Sequence, residues 1–171
     1  MSDSLIVRPA RPGEIDEVGR LTQRAYVTDG LVEPDGTYVA ELGRAARRAR
    51  DAELLVAVDP QGTVLGTVTV CVPDSPLAEV SRPGELEFRM LAVSPDARRR
   101  GVGEALVTAV LQQAADLGAH RVVLCSAEHM SAAHRLYSRM GFIRLPERDW
   151  YSVPDLRLLA FGSAHEWHSV P

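Results

Sequence analysis

The chain has 171 residues, of which 46% are hydrophobic and 25% charged, with a formal net charge of −4. That balance fits one domain with a sizeable core and excludes a disordered chain, which needs fewer apolar residues and a larger charge excess. The net negative charge argues against a broad nucleic-acid footprint, and the lack of any run of about 18 apolar residues argues against a membrane span.

The opening "MSDSLIVRPA" holds an acid and only a very short apolar run, so no signal peptide is expected. Residues 5–10 are β-rich and run into Pro9. A helix is predicted over 13–27, with Ile15, Val18, Leu21 and Ala25 on one face. Residues 28–36 are rich in turn formers. Residues 37–50 read as a second helix with a strongly basic end, where the helix dipole favours cations. Strands at 53–59 and 63–72 flank Pro60-Gln61-Gly62, a hairpin signal. A Pro-rich loop at 73–84 leads into a third long strand at 85–93. A helix follows over 104–119, with Leu106, Val110, Leu111, Ala114 and Leu117 as its apolar stripe. Residues 120–127 are almost continuously apolar, the pattern of a strand buried on both faces, as in parallel sheets. A helix over 131–142 carries Ala133, Leu136, Tyr137 and Met140 on one face, and Gly141 suits the C′ position that stops it. "WYSV" and residues 156–162 supply a last β pair. Cys71 and Cys125 sit far apart inside apolar runs and make neither a disulfide framework nor a zinc spacing. They read as two buried free thiols in a reducing compartment, which points to a cytoplasmic protein. The order β-α-α-β-β-β-α-β-α-β-β, without repeats or dividing linkers, implies one mixed α/β sheet with helices on both faces. Residues 1–163 are expected to form the domain and 164–171 a tail.

Between the third long strand and the helix after it lies "SPDARRRGVG". The first turn of a helix presents unpaired N–H groups and a partial positive charge. Gly101 and Gly103 lack Cβ and let a ligand approach the backbone. Arg98, Arg99 and Arg100 add forked donors suited to phosphate oxygens. Together these form an anion cradle, most naturally for a pyrophosphate. It is not a Walker loop, having no Gly-Lys-Ser/Thr, and its glycines are wrongly spaced for a dinucleotide fingerprint. The bland alternative is an exposed basic turn that only caps a helix.

Arg98-x-x-Gly101-x-Gly103 resembles the arginine/glutamine-x-x-glycine-x-glycine/alanine motif of the GCN5-related N-acetyltransferases. "MLAVSPDAR" resembles that family's preceding strand and turn, and "AAHRLYSRMGF" its last core helix, with Tyr137 and the Gly141-Phe142 pair. The similarity runs from the first strand to about residue 162. The resemblance implies a mostly antiparallel sheet whose fourth and fifth strands splay apart at a bulge, and acetyl-coenzyme A (acetyl-CoA) as donor. Its pyrophosphate is then expected on the amides of Arg98, Arg99, Arg100, Gly101, Val102 and Gly103, with Glu104 opening the helix. Its pantetheine is expected against Leu91, Ala92 and Val93, one of whose amides polarises the thioester carbonyl. Met130 and Ala133 complete the expected cofactor contacts. Homodimers formed by strand exchange or edge pairing are common among similar proteins.

Acyl transfer to a protonated amine needs a proton acceptor, directly or through water, and the leaving thiolate benefits from a donor. Tyr137 is the expected acid. Glu87 is the first choice of base, since similar proteins that acetylate protein N-termini carry a glutamate at the matching position. Glu85, two residues back on the same face, is the second, and a water is the third. Either glutamate could instead pair with Arg89 as an ordinary ion pair. Met130 stands where many relatives have an asparagine; Ser131, His129 or a water could take that role.

Three other features carry less. His165-x-x-His168 with Glu166 supplies too few ligands for a metal, so none is expected. "RAARRAR" (44–50) reads as a solvated helix end rather than a nucleic-acid site. The acceptor mouth, in the family architecture, spans Tyr26 to Tyr38 and Arg148 to Asp155. Its Asp29, Glu33, Asp35, Asp149 and Asp155, with Trp150 and Tyr151, could suit a cationic amine, although surface loops are acidic by default. The sequence is thus expected to encode an N-acetyltransferase acting on a small-molecule or peptide amine through a ternary complex. The alternative is a non-catalytic acyl-CoA sensor of the same fold.

Overall fold

The computed structural model describes residues 4–153 and 156–163. β1 (Ile6–Pro9), β2 (Glu53–Val58), β3 (Val64–Cys71) and β4 (Glu85–Val93) form an antiparallel meander. β5 (Arg121–Ala127) joins parallel to β4. The sheet then continues through β8 (Leu156–Ser163), antiparallel to β5, with β6 (Phe142–Arg144) and β7 (Trp150–Val153) both paired to β8. α1 (Ile15–Thr28), α2 (Thr37–Leu42) and α3 (Ala45–Asp51) cover one face; α4 (Val102–Leu117) and α5 (Ser131–Arg139) cover the other.

The period-2 alternation of β2 sets this arrangement. Leu54, Val56 and Val58 pack under the α1 layer, while Leu55 and Ala57 pack under α4. On α4, Leu106, Val110 and Ala114 are fully buried, and Leu106 and Val110 each contribute about 1.5–3 kcal/mol by that burial. Leu117, expected on the same stripe, is 55% exposed at the helix end.

β4 and β5 pair only at Glu85–Arg121, Leu86–Val122 and Glu87–Val123. The cause lies on the other edge of β4. Its register against β3 jumps between Thr67–Ala92 and Thr69–Arg89, so Met90 and Leu91 together oppose Val68. Met90 takes a left-handed φ of 53°. Such a bulge bends its strand and raises the local twist. β4 therefore leaves β5 after Glu87, and the expected splay is present. Met90 and Ala92 face the α1 layer, while Leu91 and Val93 face α4.

Three features differ from the sequence reading. The helix expected over 37–50 is two, α2 and α3, broken at Gly43-Arg44. α1 crosses here so closely that a Cβ on Gly19 would lie 2.6 Å from the Gly43 carbonyl oxygen. β6 has three residues, too few to show a period. In the run expected to be solvated, Arg48 is only 3% exposed. The expected tail at 164–171 lies outside the described residues.

Candidate active site

The V between β4 and β5 opens into a cleft of about 600 Å³, walled by the end of α1, the start of α4 and one side of α5. Of the expected cofactor contacts, Leu91, Ala92, Val93, Arg98, Arg99, Gly101, Val102, Gly103, Glu104, Met130 and Ala133 line it, joined by His129 and Ser131. Arg100 does not line it.

The loop geometry follows from its residues. Ser94 N donates to Leu65 O at 2.8 Å, and Ala97, 1% exposed, anchors the turn in the core. Arg99 and Gly101 take φ of 64° and 74°, which turn the chain sharply into α4. The helix starts at Val102, two residues before the expected start, and its first i→i−4 bond runs from Ala105 N to Gly101 O at 3.0 Å. Gly101, at the N-cap, has no side chain to cap the turn. The amides of Val102, Gly103 and Glu104 therefore stand open at the positive end of a helix, where an anion binds well. Gly103 packs closely on α5: a Cβ there would sit 3.1 Å from Leu136 Cδ2, which would have to shift slightly. Arg98 is held by Asp29 at 3.0 Å, and Arg24 by Asp96 at 2.8 Å, which fastens the end of α1 to the loop. Past Glu87, the β5-facing edge of β4 has no strand beside it, so the backbone of Leu91–Val93 is available to an extended ligand.

Tyr137 lies behind the cleft wall, 4% exposed, with its ring 5.9 Å from Phe88, 5.9 Å from Phe142 and 5.8 Å from Phe161. Burial pushes its hydroxyl well above the usual phenol range, so it stays protonated at neutral pH. Tyr26 of α1 lines the cleft, and its hydroxyl interacts electrostatically with Tyr38, Tyr137, Arg89 and Arg48.

The structure does not bring Glu87 or Glu85 to the cleft lining. Glu87 is fully buried, and its carboxylate accepts the backbone amides of Glu79 (2.9 Å), Val80 (2.9 Å) and Ser81 (2.8 Å), fixing the Pro-rich loop. Glu85 forms a two-point pair with Arg148, at 2.7 and 3.0 Å, and accepts Arg82 N at 2.8 Å. Neither pairs with Arg89. The partner of Arg89 is Glu79, at 2.8 Å, and Cys125 Sγ lies 3.8 Å from the same carboxylate. Glu79 thus bridges β4 and β5 two residues beyond their last paired position, at the vertex of the V, and burial raises its pKa; like Glu87 and Glu85, it does not line the cleft. The sequence carried no signal for it: Glu79 comes from a loop whose path depends on Glu87.

At the N-cap of α5, Met130 Sδ accepts Ser126 Oγ at 3.6 Å, and His134 Nε2 lies 3.1 Å from the same hydroxyl. Burial lowers the His134 pKa, which favours the neutral ring. Two of the acids expected at the acceptor mouth are engaged. Asp29 holds Arg98, and Asp149 holds Arg144 and Arg157, at 2.6 and 3.0 Å; Asp155 lies outside the described residues. Among the described residues there is no cluster of three or more metal-ligating side chains and no helix long and apolar enough to cross a membrane. His165, Glu166 and His168 lie outside them.

A bulged and splayed β4/β5 pair, an open helix N-terminus at its mouth and a buried tyrosine beside it define the acyl-CoA N-acyltransferase class of α/β folds. The chain belongs to the acetyltransferase (GNAT) family, whose model matches residues 16–142. It is 30% identical over 148 residues to a mycothiol acetyltransferase of Arthrobacter sp. (strain FB24), covering 84% of this chain and 44% of that protein. The chain thus spans about half the length of the mycothiol acetyltransferases it matches. It is also 30% identical over 156 residues to an aminoglycoside N(6')-acetyltransferase type 1 of Klebsiella aerogenes, covering 90% of this chain and 99% of that protein. A GNAT-family acetyltransferase structure from Staphylococcus aureus Mu50 superposes with a TM-score of 0.72 at 13% identity, over 94% of this chain and 98% of that one.

Proposed function

We propose that the chain is an acetyl-CoA-dependent N-acetyltransferase that acetylates a primary amine by direct attack in a ternary complex. One observation carries the reading: the open amides of Val102, Gly103 and Glu104 stand at the mouth of the β4/β5 splay, in one continuous cleft. When bound, acetyl-CoA supplies an activated acetyl thioester. The α4 amides, with Arg98 and Arg99, hold its pyrophosphate. The unpaired edge of β4 at Leu91, Ala92 and Val93 holds the pantetheine arm as a strand would. An N–H from that edge, aimed at the thioester oxygen, stabilises the negative charge that builds there during attack.

The acceptor amine enters from the α1 side of the V. Glu79, which lies behind the cleft lining, takes its proton through a water; its burial-raised pKa brings it nearer the working range of a base. Glu87 and Glu85, whose lone pairs are occupied, hold the loop that presents Glu79. Tyr137, kept protonated by burial, gives its proton or a hydrogen bond to the leaving thiolate. Met130 favours the second reading, an acyl-CoA sensor without an acceptor, because a thioether replaces an amide at a cofactor-facing position. A coenzyme A release assay against a broad panel of amines decides between them. Turnover with any amine supports the enzyme. Tight acetyl-CoA binding with no turnover across the panel supports the sensor.

A further inference from the structure

The cleft carries more positive charge than a pyrophosphate at the start of α4 uses. Ala132, Arg135, Leu136 and Arg139 of α5 all line it, and their i, i+3, i+4, i+7 spacing puts them on one stripe of the helix. Leu136 packs on the first turn of α4, where its Cδ2 is the atom that a Cβ on Gly103 would meet. Arg135 and Arg139, on either side of Leu136 in that stripe, therefore stand on the cleft wall beside the open α4 amides. Both are exposed, and among the described residues neither guanidinium makes a hydrogen bond or an ion pair. Like charges one turn apart on a helix repel and cost stability. Arg139 lies in the last turn of α5, where the dipole favours a cation, but Arg135 in mid-helix has no such reason. The acids of the cleft do not offset the pair. Asp29 is taken by Arg98, and Glu104 makes no ion pair among the described residues. A chain of net charge −4 thus leaves two unneutralised cations on the wall of its main cleft. The donor supplies what they lack. Coenzyme A carries two separate anions, the pyrophosphate and a phosphate monoester on the ribose 3′ oxygen. The α4 amides, Arg98 and Arg99 are committed to the first. The second carries about −1.5 to −2 charges at neutral pH and has three acceptor oxygens, which the forked donors of two arginines match.

Resting on the acetyltransferase reading, we propose that Arg135 and Arg139 form a second anion site that reads the 3′-phosphate of the donor. The pair makes the chain selective for coenzyme A thioesters over the thioesters of 3′-dephospho-coenzyme A. Those two donors share the acyl group, the pantetheine arm and the pyrophosphate, so the selectivity comes from α5 and not from the α4 amides.

The test is calorimetric titration with acetyl-CoA and with acetyl-3′-dephospho-CoA. The proteins are the wild type, the double variant Arg135→Met/Arg139→Met, and Arg82→Met as a charge control. Arg82 is exposed in the loop before β4 and outside the cleft. The wild type is expected to bind acetyl-CoA about ten- to a hundredfold more tightly than the dephospho ligand, the value of a charge-assisted hydrogen bond. The double variant is expected to bring that ratio close to one by losing affinity for acetyl-CoA alone, and Arg82→Met to keep it. Equal affinities in the wild type overturn the site, as does a preference that survives the double variant. A parallel loss for both ligands assigns the pair to the pyrophosphate and overturns the site too. Loss of the preference in Arg82→Met traces it to the overall charge, with the same consequence. Binding of neither ligand to the wild type instead overturns the acetyltransferase reading. If the double variant does not fold, Arg135→Met and Arg139→Met are titrated singly, and each is expected to lose part of the preference; an intact preference in both overturns the site.

Discussion

Gly101 and Gly118 lie at opposite ends of α4 in nearly the same conformation, with φ, ψ of 74°, 18° and 73°, 19°. A Cβ built on either would meet nothing within 4 Å. Alanine at each position therefore brings the same backbone strain and no clash, about 1–2 kcal/mol of stability. That corresponds to a fall in Tm of about 2–8 °C for a chain of this length. The two differ in what they face. Gly101 sets the direction of the Val102–Glu104 amides, and relaxation of its strain turns those N–H groups away from the cleft. Loss of one such bond to a charged oxygen is worth about 1.5–3 kcal/mol, or about ten- to a hundredfold in affinity. Gly101→Ala is thus expected to weaken acetyl-CoA binding by that factor beyond Gly118→Ala, at matched loss of Tm. The assay is calorimetric titration beside thermal melting of both variants. Equal affinities in the two variants would refute the assignment of the α4 N-terminus as the anion site.

Tyr137→Phe is expected to lower kcat by about 10²–10⁴ with little change in acetyl-CoA affinity; unchanged turnover at all pH values removes the acid role. Glu79 has a raised pKa, so its basic form is lost as pH falls through a value higher than an ordinary glutamate's. kcat/KM should therefore fall on the acid side in the wild type, and Glu79→Gln should abolish that limb and lower the rate; a persisting limb assigns it elsewhere. Glu87→Gln sets an NH₂ group against backbone N–H donors and should cost about 1–3 kcal/mol in denaturant unfolding, with faster hydrogen exchange at residues 79–81. An unchanged stability would deny Glu87 its anchoring role.

What the sequence revealed and concealed divides along the range of the interactions. The 85–93 strand, the glycine loop and the helix after it form one short-range unit, and their periodicity and turn residues are complete within about thirty consecutive residues. The positions of Leu91, Ala92 and Val93, and of Arg98, Arg99 and Gly101 to Glu104, in the cleft were legible for that reason. The break at Gly43 was not, because α1, more than twenty residues away, imposes it through Gly19. Arg48 looked like its exposed neighbours Arg44, Arg47 and Arg50, and only the packing of α3 on β2 and α1 distinguishes it. Glu87 was placed on the correct strand and face, yet its role depends on the amides of a loop that carries no regular pattern. Glu79 depends on that same loop, so the expected base and its structural replacement come from one tertiary contact.

The central claim, that the α4 N-terminus and the β4/β5 splay form a coenzyme A site, is tested most directly by calorimetric titration of the protein with acetyl-CoA, desulfo-CoA and ATP. Micromolar affinity for the two coenzyme A ligands, with ATP far weaker, is the predicted result. No heat of binding from acetyl-CoA at millimolar concentration would contradict the account and leave Arg98–Gly103 as a basic helix cap.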